Sequence, residues 1–245
     1  DLKRSAKSSW LLVAILTLSF LGPFFSSLLR SSVDGFLREN SRRVLTADIA
    51  VTAYRPIRTD EVDRLREKYG VNKEVREVEF VTMTTGSGSR TAMVEVHAVE
   101  QGFPIDGEFE FADGSKVRAA PAKTAVWLSN DALTALELKV GDLIRFGKME
   151  FTIERAVKFA PGASRAAFGF APKAYVPIET ASRTGLLGFG SQVYYRTYLE
   201  TQRPIVSTDE VRETLGDPDL FLRTPDDSIQ GIERFSGFVS LYLSV

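Results

Sequence analysis

The stretch VREVEFVTMTTGSGSRTAMVEVHAV, residues 75–99, carries the plainest structural signal in the chain. From Val75 to Thr84, Val78, Phe80 and Thr82 alternate with Glu77 and Glu79, the period of a half-buried strand whose carboxylates point to water. Gly86-Ser87-Gly88-Ser89 then reads as a hairpin loop leading into a second strand, Arg90 to Val99. Upstream, Asp48 to Ala53 reads as a strand ended by Arg55-Pro56. Thr59 reads as the N-cap of a short helix with the apolar stripe Val62, Leu65 and Tyr69, stopped by Gly70. The opening is β-α-β-β.

Downstream of Phe103-Pro104 the texture changes to short strands and tight turns. Glu108 to Phe111 meets the turn Asp113-Gly114, and Thr124 to Leu128 precedes a helix from Asn130 to Leu136. Leu143 to Phe146 and Phe151 to Phe159 flank the turn Gly147-Lys148. This reads as a compact β-rich part inserted into the first. Tyr175 to Ile178, Gln192 to Glu200 and a helix from Thr208 to Leu215 restore the opening rhythm. The expected fold class is α+β, discontinuous, with an insertion.

The ends are different in kind. Ser8 to Leu29 are 22 residues without a charge, long enough as a helix to span roughly 30 Å of hydrocarbon. Trp10 sits where an interfacial aromatic belongs, with Lys3, Arg4 and Lys7 outside it, and Pro23 would kink the helix. A secretory signal peptide is the competing reading, but the run exceeds the usual apolar region and no small-x-small site follows promptly. Leu29, Val33, Phe36, Leu37, Asn40 and Val44 continue one stripe, as an amphipathic stalk of roughly 20 Å or as a surface helix packed on its own domain. At the other end Phe235 to Val245 are eleven residues without charge. This reads as the start of a second membrane helix in a polytopic protein.

Composition narrows the chemistry. The 245 residues carry 31 Lys+Arg against 32 Asp+Glu, a net charge of −1, without the basic excess that nucleic acid requires. With no cysteine there is no disulfide framework, Cys-ligated zinc or thiol nucleophile. The Gly86–Ser89 loop lacks the spacing and the lysine of a phosphate loop. No G-x-S-x-G nucleophile elbow occurs. His97, the one histidine, alternates with Glu95 on one strand face, about 7 Å apart by strand rise. The pair could serve a metal or act as a base, but a lone histidine in a cysteine-free chain reads first as solvent-facing or interfacial. Glu77 with Glu79 and Glu108 with Glu110 repeat the spacing of paired catalytic carboxylates and read as the wet faces of strands. Phe159, Phe168, Phe170 and Phe189 lie in Gly/Ala/Pro-rich stretches. They offer either an apolar surface for a substrate or partner, or a plug between the two parts of the fold.

Several strings together resemble a known family. Val126-Trp127-Leu128-Ser129, then Leu136-Glu137-Leu138-Lys139-Val140-Gly141-Asp142-Leu143-Ile144, resembles a segment of the periplasmic core domain of MacB/FtsX-like ABC transporter permeases. Ala47-Asp48-Ile49-Ala50-Val51 with Arg55-Pro56-Ile57, Glu95 to Val99 with Gly102-Phe103-Pro104, and Gly169-Phe170-Ala171-Pro172 resemble its YbbP-like branch. The resemblance implies a transmembrane helix and stalk over 1–45, and a Porter-like part over 46–105 and 175–225. It further implies an inserted Sabre-like part over 106–174 and a return stalk with the start of a second membrane helix over 226–245. It departs in length, since such permeases carry further membrane helices. The implied role is that of a non-catalytic permease subunit in a bacterial inner membrane, its bulk periplasmic. No cofactor or metal would sit in this chain; ATP and magnesium belong to a partner ABC ATPase, expected as a dimer. Membrane lipids and a periplasmic protein are the other expected partners. The work would be extraction or export of a hydrophobic or lipidic substrate by mechanotransmission. The alternative is an FtsX-like ectodomain that recruits and activates an envelope enzyme.

Overall fold

The sheet carries apolar side chains on both faces, one packed under helices and the other filled with aromatic rings. The structure, a computed structural model, describes residues 45–162, 172–188, 192–205, 207–225 and 227. The expected membrane helix, stalk and return helix lie outside the described residues, as do Phe168, Phe170 and Phe189. Among the described residues no helix is long and apolar enough to cross a membrane.

Strand β1 (Ile49–Ala53) leads to helix α1 (Thr59–Tyr69), and the hairpin β2 (Val71–Thr85) and β3 (Thr91–Val99) follow. The cap lies one residue before the expected Thr59, which is already the first residue of the helix. Arg58 takes the N-cap position, and its backbone N–H donates to Glu61 Oε2 at 2.8 Å, three residues on. Gly70, left-handed at φ 68°, closes the other end by donating to the Arg66 carbonyl at 2.9 Å.

The middle of the chain supplies β4 (Phe109–Phe111), β5 (Lys116–Val117), β6 (Ala125–Ser129), α2 (Asn130–Leu136), β7 (Leu143–Phe146) and β8 (Met149–Phe159). Then come β9 (Lys173–Pro177), α3 (Ile178–Ala181), β10 (Val193–Thr201), α4 (Thr208–Leu215) and β11 (Phe221–Arg223). Helix α2 has the bounds expected from sequence, because Ser129 caps it by accepting from the Ala132 N–H. Ile178, expected at the end of a strand, instead opens α3, where Thr180 Oγ1 donates back to the Pro177 carbonyl.

The described strands form one mixed α+β sheet in the order β11-β1-β10-β2-β3-β9-β6-β8-β4-β5, with β7 on β8. Strands β4–β8, from the middle of the chain, lie together toward one side. The seam is β9, parallel to β3 and antiparallel to β6. One face carries the helices in two separate groups. Ile49, Val51, Leu65, Leu199, Val211 and Leu215 pack beneath α1 and α4. Phe80, Val94, Val96, Leu128, Leu136 and Phe146 pack beneath α2 and α3. The opposite face is aromatic, with Phe103, Phe109, Phe111, Trp127, Tyr175 and Tyr198 buried together.

The β7–β8 turn is pinned against the segment after α3. Gly147 sits at φ +57°, and a Cβ there would lie 2.1 Å from the Thr184 carbonyl oxygen. The alanine variant Gly147→Ala combines a disfavoured backbone with a main-chain clash. It is expected to cost roughly 2 kcal/mol or more, read as a lower urea midpoint with unchanged slope.

Candidate functional site

The register of the central strands places charge on the aromatic face. Arg196 of β10 lies opposite Glu77 of β2 and Thr52 of β1. Glu79 lies opposite His97 of β3, and His97 opposite Tyr175 of β9. Because side chains two apart share a face, Glu77 and Glu79, Glu95 and His97, and Arg196 and Tyr198 are all brought into one cluster.

The cluster is densely hydrogen-bonded. Arg196 Nη1 donates to Glu77 Oε2 at 2.6 Å, Nη2 to Glu79 Oε2 at 2.9 Å, and Nε to Thr52 Oγ1 at 3.2 Å. The Tyr198 hydroxyl donates to Glu77 Oε2 at 2.7 Å. His97 lies between two carboxylates, Nδ1 2.5 Å from Glu77 Oε1 and Nε2 2.7 Å from Glu95 Oε1. The imidazole stacks on Tyr175 with ring centroids 5.0 Å apart. The side chains of Glu77, Glu79, Glu95, His97 and Arg196 are each 5% exposed or less.

Burial opposes every charge here, and pairing overcomes it. For His97, desolvation would lower the pKa, but hydrogen bonds donated to both carboxylates and the fields of Glu77 and Glu79 push it up to about 9. Desolvation would raise Glu77, but Arg196 and His97 hold it down to about 2. Glu95 is likewise lowered, against its burial, by His97 and by Lys173, its register partner on β9. Burial, with the surrounding carboxylates, pushes the Tyr175 hydroxyl well up. At neutral pH the His97 imidazolium and the Arg196 guanidinium therefore face the Glu77 and Glu95 carboxylates.

Oxygen and nitrogen atoms of Glu77, Glu79 and His97 lie within 4.8 Å of one another, a geometry suited to a metal ion. The donor set does not fit one. Both ring nitrogens of His97 are already bonded to carboxylates, and the Arg196 guanidinium occupies the space between Glu77 and Glu79 that a cation would take. Sealed from solvent, the cluster does not meet a substrate; it fixes β1, β10, β2, β3 and β9 in one register.

This corrects the reading of Glu77 and Glu79 as a wet strand face and of His97 as solvent-facing or interfacial. Period 2 tells which residues share a face and is silent on whether that face is covered. The signal that could have found the site is Arg196 and Tyr198, which repeat the two-residue spacing with complementary chemistry. Glu108 is exposed, while half-buried Glu110 accepts from Lys158 Nζ at 2.6 Å. The 86–89 segment is a hairpin loop, as expected, with a 3-10 turn over Ser87–Ser89. Phe159 ends β8 and is 53% exposed. Its expected companions Phe168, Phe170 and Phe189 lie outside the described residues.

A second feature concerns where the chain joins the sheet. Strands β1 and β11 are neighbours and antiparallel, with Ala50 opposite Arg223 and Thr52 opposite Phe221. The start of β1 and the end of β11 therefore lie at the same end of one strand pair.

Comparison with known proteins places these features. The sequence model of a family described as the MacB-like periplasmic core domain matches residues 12–217. No curated protein matches the chain. Similar solved structures include the periplasmic region of MacB from Actinobacillus actinomycetemcomitans, 14% identical, covering 78% of this chain and 95% of that one at a TM-score of 0.47. The extracellular domain of the noncanonic ABC-type transporter YknZ from Gram-positive bacteria is also 14% identical. It covers 72% of this chain and 100% of its own, with a TM-score of 0.46.

The cluster has a signed pH dependence. His97 is raised above its ordinary value, so its contribution is fully present below about pH 6.5 and lost as pH rises through about 9. Glu77 is depressed, so its contribution holds above about pH 4.5 and is lost as pH falls toward about 2. Chemical denaturation should show stability falling between pH 6.5 and 9 by on the order of 3 kcal/mol, a slope that His97→Gln abolishes. Arg196→Met strands two buried carboxylates and is expected to cost about 3–5 kcal/mol at neutral pH.

Proposed function

The chain belongs to the MacB-like periplasmic core domain family, and from that premise we propose that it is the external domain of an ABC permease, levered from the membrane side by a partner ATPase. ATP and magnesium bind that partner, which works as a dimer. Residues 8–29 are the first membrane helix, continued by the stalk, and the uncharged run from Phe235 begins the second. The bulk of the chain then lies outside the inner membrane. Its task is to extract or export a hydrophobic or lipidic substrate, and the motifs at 47–57, 95–104 and 169–172 favour the YbbP-like branch.

The observation that carries this reading is that the start of β1 and the end of β11 lie at the same end of one strand pair. Displacement from either side enters the sheet through one strand pair. Thr52 of β1 accepts from Arg196, whose guanidinium also grips Glu77 and Glu79. A pull on β1 is thus shared at once by β10 and β2, and through His97 by β3. That is the behaviour of a plate moved by its rim.

A second reading is favoured by a different observation. Val81, Met83 and Met93 stand exposed on the outer part of the β2–β3 hairpin, with Met83 directly opposite Met93. Such a strip suits an FtsX-like ectodomain that recruits an envelope enzyme. Co-purification of a stoichiometric hydrolase would favour this reading over the first, and bound lipid the reverse.

The lever itself is open to test. Two glycines inserted between Ser31 and Ser32 should leave expression and partner ATPase turnover intact while abolishing transport or extraction. Survival of that output would exclude a stiff link through the stalk.

A further inference from the structure

The helix face of the sheet is not fully roofed. Its two apolar groups, under α1 with α4 and under α2 with α3, are separate. Between them the paired rows Tyr195–Val78 and Thr197–Arg76 of β10 and β2 form the floor of a groove of about 370 Å³. That volume falls in the ordinary range of small-molecule sites, about 300–1,000 Å³. One wall is Ile57 and the α1 residue Val62; the other is Ile178 at the start of α3.

The groove has two chemical ends. Along β2 the floor runs from Glu74 and Arg76 to Val78, so charge gives way to an apolar bed of Val78, Tyr195, Ile57 and Ile178. At the charged end Glu74 is held by Arg66 Nη2 at 3.1 Å and by Arg76 Nε at 3.2 Å. Arg66 spends its other amine on Asp63. Arg76 does not: both its Nη groups lack a hydrogen-bond partner among the described residues, and its side chain is 63% exposed. On the groove face Arg66 and Arg76 outnumber Glu74; Arg196 and Glu77 line it only from beneath, their side chains turned to the other face and paired with each other. An unspent guanidinium edge is the group best shaped for a carboxylate or phosphate.

Other occupants fit less well. Both floor strands are already paired on both sides, β10 with β1 and β2, and β2 with β10 and β3. A peptide therefore cannot add as a further strand. A compact anion would satisfy Arg76 and leave the apolar bed wet, while a neutral chain would leave the guanidinium edge unused.

We propose that this groove binds a single-chain amphiphile with an anionic head, the head paired with the Arg76 guanidinium and the chain lying on Val78, Tyr195 and Ile178. The inference goes beyond the permease reading by naming a site. Its test needs no ATPase, so either can fail alone.

The experiment uses the full 245-residue chain held in amphipol, with a decanoate probe carrying a photoreactive diazirine at its chain end. Adducts mapped by mass spectrometry should fall on Ile57, Ile178 or Tyr195. Decanoate or decyl phosphate should suppress them, the better competitor assigning the head group, and decanol at equal concentration should not. Arg76→Glu, at an exposed position that leaves the fold alone, should reduce labelling about tenfold, and Arg76→Lys about threefold, since it keeps the charge and loses the fork. Labelling confined to residues 8–29, equal competition by decanol, or unchanged labelling in Arg76→Glu would each overturn the proposal.

Discussion

A guanidinium buried beneath a sheet cannot shed its proton, so the neighbours of Arg196 must supply negative charge wherever the strand places it. Glu77 and Glu79 do so, and their positions follow. The second oxygen of Glu77 then needs a donor, which is His97, and the second nitrogen of His97 needs an acceptor, which is Glu95. A one-residue slip of any central strand would turn its members to the helix face and leave the others unpaired. Ion pairs of this kind add little net stability over an apolar core of the same shape, but they discriminate strongly against wrong registers. The sheet is held in one alignment more than it is held together.

Much of the fold was legible locally. Helix α2, β7 and α4 depend on neighbours in sequence and have the expected bounds; the β2–β3 hairpin is legible too, but β2 begins at Val71, four residues before the alternation that marks it. Strand β11 escaped because three residues give no period, and α3 because a single turn after Pro177 looks like the end of a strand. The buried site escaped for a different reason. Glu77, Glu79 and His97 look like any solvated strand face until Phe103 and Phe109 fold back over the same side and Tyr198, far along the chain, joins them. Coverage is a tertiary property. The compensating arginine lies more than a hundred residues away and pairs with Glu77 only through the register of β10.

The two faces of the sheet divide the labour. On the aromatic face the charges are sealed, and their partners leave nothing over for a ligand. On the helix face the roof is split because α1 and α4 cover the side where the chain enters and leaves, while α2 and α3 cover the side built from the middle of the chain. The gap falls over β10 and β2, the same strands that carry Arg196 and Glu77 on their reverse. Anything that shifts those two strands is therefore felt on both faces.

The position of β10 also bears on how the domain is assembled. It is the tenth strand to be synthesised, yet it lies between the first and the second. Until it emerges, β1 and β2 each present an unsatisfied edge, and Glu77 and Glu79 have no arginine, so the nascent hairpin must stay hydrated. One late insertion then closes both edges and brings the missing countercharge with it. A prematurely terminated chain would keep its open edges and its stranded carboxylates, a state that quality-control proteases recognise readily.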